Sequence, residues 1–346
     1  MWDQLLDKLT SRQDLGVGEI RFAMTEILEG RAGELQIKEF LLGMKNKGER
    51  VEEVRALVDE MYDHATLIDI PDRAVDIVGT GGDGFNTINI STSAAIVTTA
   101  AGGRVIKHGN RAASSASGAA DLLEALGINI NLDAAGVKEC VRKIGIGFAF
   151  APKFHPAMRY AAPVRKSLGL PTIFNILGPL ANPARPKAVA IGVARSEMFE
   201  LVAEVLATRG NEGFVFRGLE GLDEISISGA SEVIQVFEGR TNKSLFDPRE
   251  LGIDPISLTE IKGGSAQENA ATTLRVFEGR SGGAREAILL NAATAIAAFK
   301  GDFKLPIATQ FANGYTLAKS AIDSGRAIEL VQRWRDLSNE LAKSSL

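Results

Sequence analysis

After Pro71 the chain alternates short apolar runs with longer amphipathic ones, and no other feature constrains its fold as tightly. The apolar runs are Val75–Val78, Arg104–Ile106, Phe148–Ala151, Ala188–Val193, Phe214–Phe216 and Val233–Phe237. Helix-like stretches at Ser91–Ala101, Ala119–Leu126, Ala134–Lys143 and Glu197–Arg209 lie between them. Strand and helix in alternation predict a largely parallel sheet with helices on both faces. Such sheets take their ligands beyond the C-terminal strand ends. The loops at 79–84 and 107–115 follow strands directly, so they are expected to share one rim.

Residues 1 to about 68 are different in kind. Ile20, Ala23, Met24, Ile27 and Leu28 recur at one-face spacing and stop at Gly30. Leu35, Phe40, Leu41 and Met44 make a second stripe, and Val51, Val54, Leu57, Val58 and Met61 a third. Steps of three and four residues mark the buried face of a helix. The expected architecture is α/β with two parts. One is a small N-terminal all-helical domain at 1–68, joined by a helical segment near 160–180. The other is a larger α/β domain at 69–346 with a mostly parallel central sheet flanked by helices.

The loop Gly79-Thr80-Gly81-Gly82-Asp83-Gly84 holds four glycines in six residues. Glycine tolerates positive φ and has no Cβ, so successive N–H groups can turn toward an anion. From Gly84 to Ala120 there is no Asp or Glu, while Arg104, Lys107, His108 and Arg111 are basic. Asn89, Ser91, Thr92, Ser114 and Ser115 add neutral donors. In a chain of net charge −4, this acid-free window marks an anion site. Gly79, Gly81 and Gly84 satisfy G-x-G-x-x-G, yet no acid for a dinucleotide's ribose stands before Asp121. A phosphate-loop nucleotide site needs Gly-Lys-Ser/Thr, and no lysine lies in or beside the loop. What survives is a cradle for a phosphorylated substrate. Asn89 to Thr92 precedes one helix and Ser114, Ser115 and Ser117 another, and helix N-termini attract anions. Two such ends point to a ligand with phosphates at opposite ends.

Composition adds exclusions. At 346 residues, 45% hydrophobic and 24% charged, the chain has the balance of a soluble globular protein with room for two domains. Its acidic balance argues against nucleic-acid or membrane-surface partners. Cys140 is the single cysteine, which excludes an intrachain disulfide, and its spacing with Val137, Val141 and Ile144 is that of a core residue. Ala287 to Phe299 is too short and too interrupted to span a bilayer, and the Met-Trp-Asp start has no signal-peptide pattern. A cytoplasmic protein is expected.

The motifs GTGGDG, NIST, KHGNRAASS, FAPKFHPAM, TIFNILGPLANPA, GLDE and GGSAQENA…LLNAA occur in the order seen in anthranilate phosphoribosyltransferases. The chain resembles that family over nearly its whole length. The resemblance implies transfer of the phosphoribosyl group of 5-phosphoribosyl 1-pyrophosphate to the amine of anthranilate, the second step of tryptophan biosynthesis from chorismate. It also implies Mg²⁺ as cofactor and a homodimer formed through the helical unit. By match to the family's motifs, Gly79, Gly82, Asp83, Thr87, Asn89, Ile90, Ser91 and Thr92 are expected to hold the donor. So is the run Lys107, His108, Gly109, Asn110, Arg111, Ala112, Ala113, Ser114 and Ser115. Gly79, Asn110 and Arg165 match anthranilate contacts, and Ser91, Asp223 and Glu224 match the ligands of two Mg²⁺ ions per subunit. Two positions depart from the family: Ala119 stands where many relatives have Ser, and Pro171 where Arg is common.

Each transferred residue has a physical reason. Mg²⁺ is held by one or two carboxylates plus substrate oxygens, which suits the Asp223-Glu224 pair; without a pyrophosphate substrate that pair is a solvated turn. A planar guanidinium at Arg165 fits a benzoate carboxylate bidentately; alone it is a surface residue. His108 and His155 are equally explained as lining an anthranilate pocket or as structural. The aromatic amine is neutral near pH 7, so no single acid or base is expected, and Lys107, Asp223 and Glu224 act by positioning and electrostatics. Three rivals remain: a pyrimidine nucleoside phosphorylase-like enzyme, a dinucleotide-dependent oxidoreductase, and a non-catalytic nucleic-acid-binding paralogue. The acid pair argues against the first, the missing ribose acid against the second, and the acidic balance against the third.

Overall fold

The computed structural model describes residues 1–112 and 116–344. Ala113, Ser114 and Ser115, expected at the donor site, lie outside the described residues. Four helices open the chain: α1 (Trp2–Thr10), α2 (Val17–Leu28), α3 (Glu34–Lys47) and α4 (Val51–Asp63). The order then runs β1 (Val75–Gly79), α5 (Ile90–Ala100), β2 (Val105–Gly109), α6 (Ala119–Ala125), α7 (Ala134–Ile144) and β3 (Ile146–Phe150). Three short helices follow, α8 (Ala151–Phe154), α9 (Ala162–Leu168) and α10 (Phe174–Leu180), before β4 (Ala188–Gly192), α11 (Ser196–Thr208) and β5 (Glu212–Gly218). The chain closes with the hairpin β6 (Ser231–Phe237) and β7 (Arg240–Phe246), then α12 (Ala266–Phe277), α13 (Gly283–Lys300), α14 (Ile307–Asp323) and α15 (Arg326–Ser344).

The sheet order is β3-β2-β1-β4-β5-β6-β7. Strands β1 to β5 pair in parallel, and β6 and β7 add antiparallel at one edge. The chain steps outward from β1 through β2 to β3, then returns to the other side of β1 with β4. That reversal opens a crevice at the carboxyl ends of β1 and β4, the usual ligand position in such sheets. Gly79 and Gly192 end these two strands and sit opposite each other in register.

Strand alternation divides the core. Ala188, Ala190, Phe214 and Phe216 face one core with α5, α13 and α14. Val189, Ile191 and Val215 face the other, with α1 to α4, α10 and α11. The helical stripes found in the sequence are therefore spent inside this chain, Ile20, Met24, Phe40 and Leu57 being fully buried, except at Leu35, which stands in the first turn of α3 and is exposed. Helix α13 is buried nearly all round, and Gly314 lets α14 approach it, since a Cβ there would lie 2.5 Å from the Ala293 carbonyl oxygen. Cys140 lies in this core, its thiol pushed up to about 12 by burial.

Strand ends shift by one to three residues from the sequence reading, with Ala151 opening α8 instead of ending β3, and two larger differences stand out. Strand β2 continues through Lys107 and His108 to Gly109, so these residues belong to a strand rather than a loop. Period-two alternation then sends their side chains to opposite faces of the sheet. Strand β7 was not expected: its residues are mostly polar and exposed, which hides the alternation signal. It forms because Glu238 and Gly239, at φ 50° and 71°, make the tight hairpin turn.

Candidate active site

The glycine loop leaves β1 at the crevice and is clamped on its far side. Gly263 donates from its backbone to the Asn86 carbonyl at 2.8 Å, and Ile88 to the Ile261 carbonyl at 2.9 Å. Gly81, Gly82 and Gly84 all have φ between 69° and 81°, and a Cβ on any of them would meet open space. Glycine is thus needed there for backbone conformation rather than for space.

Gly79 and Gly192 are needed for a different reason: Asp223 lies against both. A Cβ on Gly79 would fall 2.3 Å from Asp223 Oδ2, and one on Gly192 1.7 Å from the Asp223 carbonyl oxygen. Asp223 Oδ2 accepts from the Gly81 N–H at 2.6 Å. The next residue, Glu224, lies close enough to the Ser91 amide at the start of α5 to feel it, though burial outweighs that influence. Asn291 of α13 fixes this turn, its Oδ1 accepting from the Ile225 N–H at 2.8 Å. An amide in an otherwise apolar helix thereby aims the acid pair.

The electrostatics are lopsided. Asp223 and Glu224 are both buried. Burial, helped by the neighbouring Asp83 carboxyl, pushes Asp223 well above the usual carboxylate range. Burial and then Asp223 itself push Glu224 up further. The opposing cation is Lys107, 1% exposed, whose Nζ donates to the Ile77 carbonyl at 2.6 Å and to Ser91 Oγ at 3.3 Å. Desolvation lowers the Lys107 ammonium, while Asp76 and Glu224 favour its charge. Lys107 therefore reaches a ligand only through Ser91 and through its field.

The donor set fits Mg²⁺. Carboxylates and a hydroxyl are the hard oxygen ligands that ion prefers, and the raised acids mark a repulsion that a dication relieves. Among the described residues no three His, Cys, Asp or Glu side chains form a closed metal cage. An ion here would be completed by substrate oxygens.

Helix α5 presents its N-terminus to the same crevice. Asn89, at its cap position, makes no side-chain cap bond. Its Oδ1 accepts from Ser117 Oγ at 3.1 Å and Asn269 Nδ2 at 2.9 Å. The helix end keeps its positive potential for a ligand. Ile90 and Thr92 are buried, so only their backbones can take part, and Thr87 is held by a bridge to Lys262.

Other expected residues sit apart from this cluster. Arg111 is bound by Asp121 at 2.9 Å and Glu124 at 2.5 Å. Asp121 also accepts from the backbone N–H groups of Ala112 and Gly118, as a bound anion would. Asn110 and Gly109 lead into this turn, Asn110 Oδ1 accepting from the Arg111 N–H at 2.7 Å. His108 points to the opposite face, its Nδ1 donating to the Gly178 carbonyl at 2.9 Å. Burial and the nearby His155 ring lower it to about 3. Arg165, on α9, is half-buried over the Phe174 ring and has no ion pair among the described residues. Burial lowers its guanidinium, which leaves a cation in want of a carboxylate.

Asp76, Asn182, Asn269 and Asn291 were not singled out from the sequence. Asp76 accepts from Asn182 Nδ2 at 2.8 Å and lies under the His108 amide, with burial raising it to about 6. A lone acid inside the apolar run Val75–Val78 was the available signal.

A glycine loop at the switch point of a mainly parallel sheet, with a helical bundle at its flank, is the architecture of a two-domain glycosyl transferase family. The family models agree: residues 71–328 match the α/β domain of a glycosyl transferase family, and residues 3–65 its helical bundle domain. The chain is 50% identical to an anthranilate phosphoribosyltransferase of Rhodococcus jostii, over 99% of this chain and 95% of that one. The crystal structure of the anthranilate phosphoribosyltransferase of Thermus thermophilus superposes with a TM-score of 0.89 at 37% identity, covering 97% of this chain and 99% of that one. That of Saccharomyces cerevisiae in complex with PRPP and Mg superposes with a TM-score of 0.89 at 28% identity, covering 98% of each chain. The chain belongs to the anthranilate phosphoribosyltransferase family.

Proposed function

We propose that this crevice transfers the phosphoribosyl group of 5-phosphoribosyl 1-pyrophosphate to the amine of anthranilate, releasing pyrophosphate. The observation that carries the reading is Asp223-Glu224, buried, with both carboxyls raised chiefly by that burial, and set between the glycine loop and the start of α5. A buried acid pair facing an anion cradle needs a cation between them. Mg²⁺ bound to the donor's pyrophosphate supplies that charge and offsets what develops on the leaving group.

The chain's own groups do the rest. The amides of Gly82 to Gly84, with that of Gly81 taken by Asp223, and the N-terminus of α5 receive phosphate oxygens. Asp83, Thr87 and the run from Lys107 to Ser115, which includes Ala113, Ser114 and Ser115, complete the donor site in this reading. Ser91, Asp223 and Glu224 hold metal, with two ions as the number implied by the resemblance. Lys107 positions Ser91 and balances Glu224. Gly79, Asn110 and Arg165 receive anthranilate, the guanidinium pairing with its carboxylate. The attacking amine is already neutral, so rate comes from holding it in line with the ribose carbon and stabilising the departing charge.

The test is to mix the protein with anthranilate, phosphoribosyl pyrophosphate and Mg²⁺ and follow anthranilate fluorescence. Loss of signal that requires all three supports the reading, and a constant signal overturns it. A homodimer through the helical unit belongs to the same proposal. Its support is the apolar surface that α1 to α4 leave uncovered, Val17 and Leu35 being exposed at 53% and 65%. Light scattering at micromolar concentration should give twice the chain mass, and a monomer would refute it. No described helix is long and apolar enough to cross a membrane; a cytoplasmic setting is part of the proposal.

A further inference from the structure

A cavity lies away from this crevice. It has a volume of about 560 Å³ and is walled by α2 and α4 of the helical unit and by the segments that lead into β4 and β5. Lys187 directly precedes β4 and Asn211 directly precedes β5, so the cavity opens at the amino ends of the strands. The glycine loop and the acid pair lie at their carboxyl ends.

Its charge is out of keeping with an acidic chain. Arg21, Arg55, Arg185, Lys187 and Arg209 line it, against the carboxylates Asp59 and Asp63. Three of the five cations are answered nearby: Arg21 by Glu60 and Asp63, Arg55 by Asp59, and Lys187 by Glu212. Arg185 and Arg209 have no carboxylate partner among the described residues. Both are fixed against one ring, with guanidinium carbons 4.2 Å and 5.2 Å from the centroid of Tyr62. Arg209 donates to the Leu180 carbonyl at 2.7 Å and to the Tyr62 hydroxyl at 2.8 Å. Arg185 is held at φ 49°, the left-handed region that a non-glycine residue seldom occupies. Asn211, in the same wall, has a buried Oδ1 with no partner.

We propose that this cavity is a second anion-binding site, for a small multivalent anion bearing phosphate or carboxylate groups held between Arg185 and Arg209. Two guanidinium groups stacked on Tyr62, with no intrachain counter-ion, are pre-oriented for such a ligand and have little side-chain freedom left to lose. Tyr62 and Arg209 both bind the Leu180 carbonyl. The carbonyls of Gly178 and Ala181 on the same segment hold His108 and His155. An anion bound here therefore stiffens the segment that seats β2 from behind.

The experiment uses the full chain and its variants Arg185→Glu and Arg185→Gln, with inorganic phosphate in one arm and succinate in the other. Thermal denaturation is followed at constant ionic strength over a range of anion concentration. Any stabilisation from the catalytic rim is common to parent and variants, so their difference isolates this cavity whether or not the proposed reaction is correct. For at least one anion, the concentration giving half the stabilisation should rise tenfold or more in Arg185→Glu, and severalfold in Arg185→Gln if the first variant fails to fold. The anion effective at the lower concentration identifies the headgroup. Equal stabilisation of parent and variants, or none in the parent, would overturn the proposal.

Discussion

At the scale of single residues, the site is organised by charges that the fold leaves uncompensated. Asp223 and Glu224 have folded-state pKa values above those of the unfolded chain. A raised acid stabilises the fold below its unfolded pKa and loses that contribution as pH rises through the folded value. Near pH 8 without metal, Asp223→Asn and Glu224→Gln should therefore melt no lower than the parent. Both should lose at least ~100-fold in kcat/KM together with their response to Mg²⁺, as expected when a preorganised charge is removed. A retained Mg²⁺ response would leave the pair a buried structural feature of the crevice and not a metal site. Arg165 gives a second, independent test. Arg165→Ala should raise the KM for anthranilate by roughly 30- to 150-fold, the worth of a charge-assisted bidentate contact, and that for the donor far less. Arg165→Lys should recover only part. Aniline, with no carboxylate, should lose little between parent and variant, and an equal loss for both amines would show that Arg165 acts on structure or on the donor.

At the scale of elements, paired glycines end the two strands that flank the crevice. Gly79→Ala would place a methyl 2.3 Å from the end of a side chain, which can swing aside and take the carboxylate off its place. Gly192→Ala would place one 1.7 Å from a backbone carbonyl, which cannot move without the β5–β6 connection. Gly79→Ala should thus keep most of its stability and lose activity. Gly192→Ala should lose ~3 kcal/mol or more, the upper range for overpacking, read as a lower urea midpoint. The same elements show what the sequence carried. The glycine loop, the acid-free window and the acid pair could be found as local patterns. Their meeting could not, because Asp223 is over 140 positions from Gly81 and is placed by Asn291 of α13. Strand β2 was legible as a strand but not to its end. Lys107 and His108 carry polar atoms that local patterning counts against a strand, and only burial against Ile77 and Gly178 accommodates them. Arg111 was legible as a cation, whereas its capture by Asp121 and Glu124 depends on the turn bringing α6 back beneath it.

At the scale of the whole molecule, the helical unit and the sheet meet at the segment 178–182. Tyr62 and Arg209 hold the Leu180 carbonyl from the helical side. His108 and His155 hold the carbonyls of Gly178 and Ala181 from the sheet side, and Asn182 reaches Asp76 and the Ile106 carbonyl. This junction makes the molecule acid-sensitive through a named group. Burial and the proximity of His155 depress His108 from 6.5 to about 3. The unfolded chain therefore binds a proton over that interval that the folded chain refuses. The His108 contribution to stability is fully present above pH 6.5 and is lost as pH falls toward 3. Burial lowers His155 as well, so both rings pull in the same direction. The raised acids Asp76, Asp223 and Glu224 act in the opposite sense over this range, so the His108 contribution is read as a difference: the parent's denaturation midpoint should fall relative to that of a His108 variant as pH drops from 6.5 to 4. His108→Asn, whose amide still has an N–H for the Gly178 carbonyl, is that variant, and its stability at pH 8 should be reduced by the lost packing. An unchanged slope in His108→Asn would place the acid sensitivity elsewhere and separate the junction from the titration of this ring.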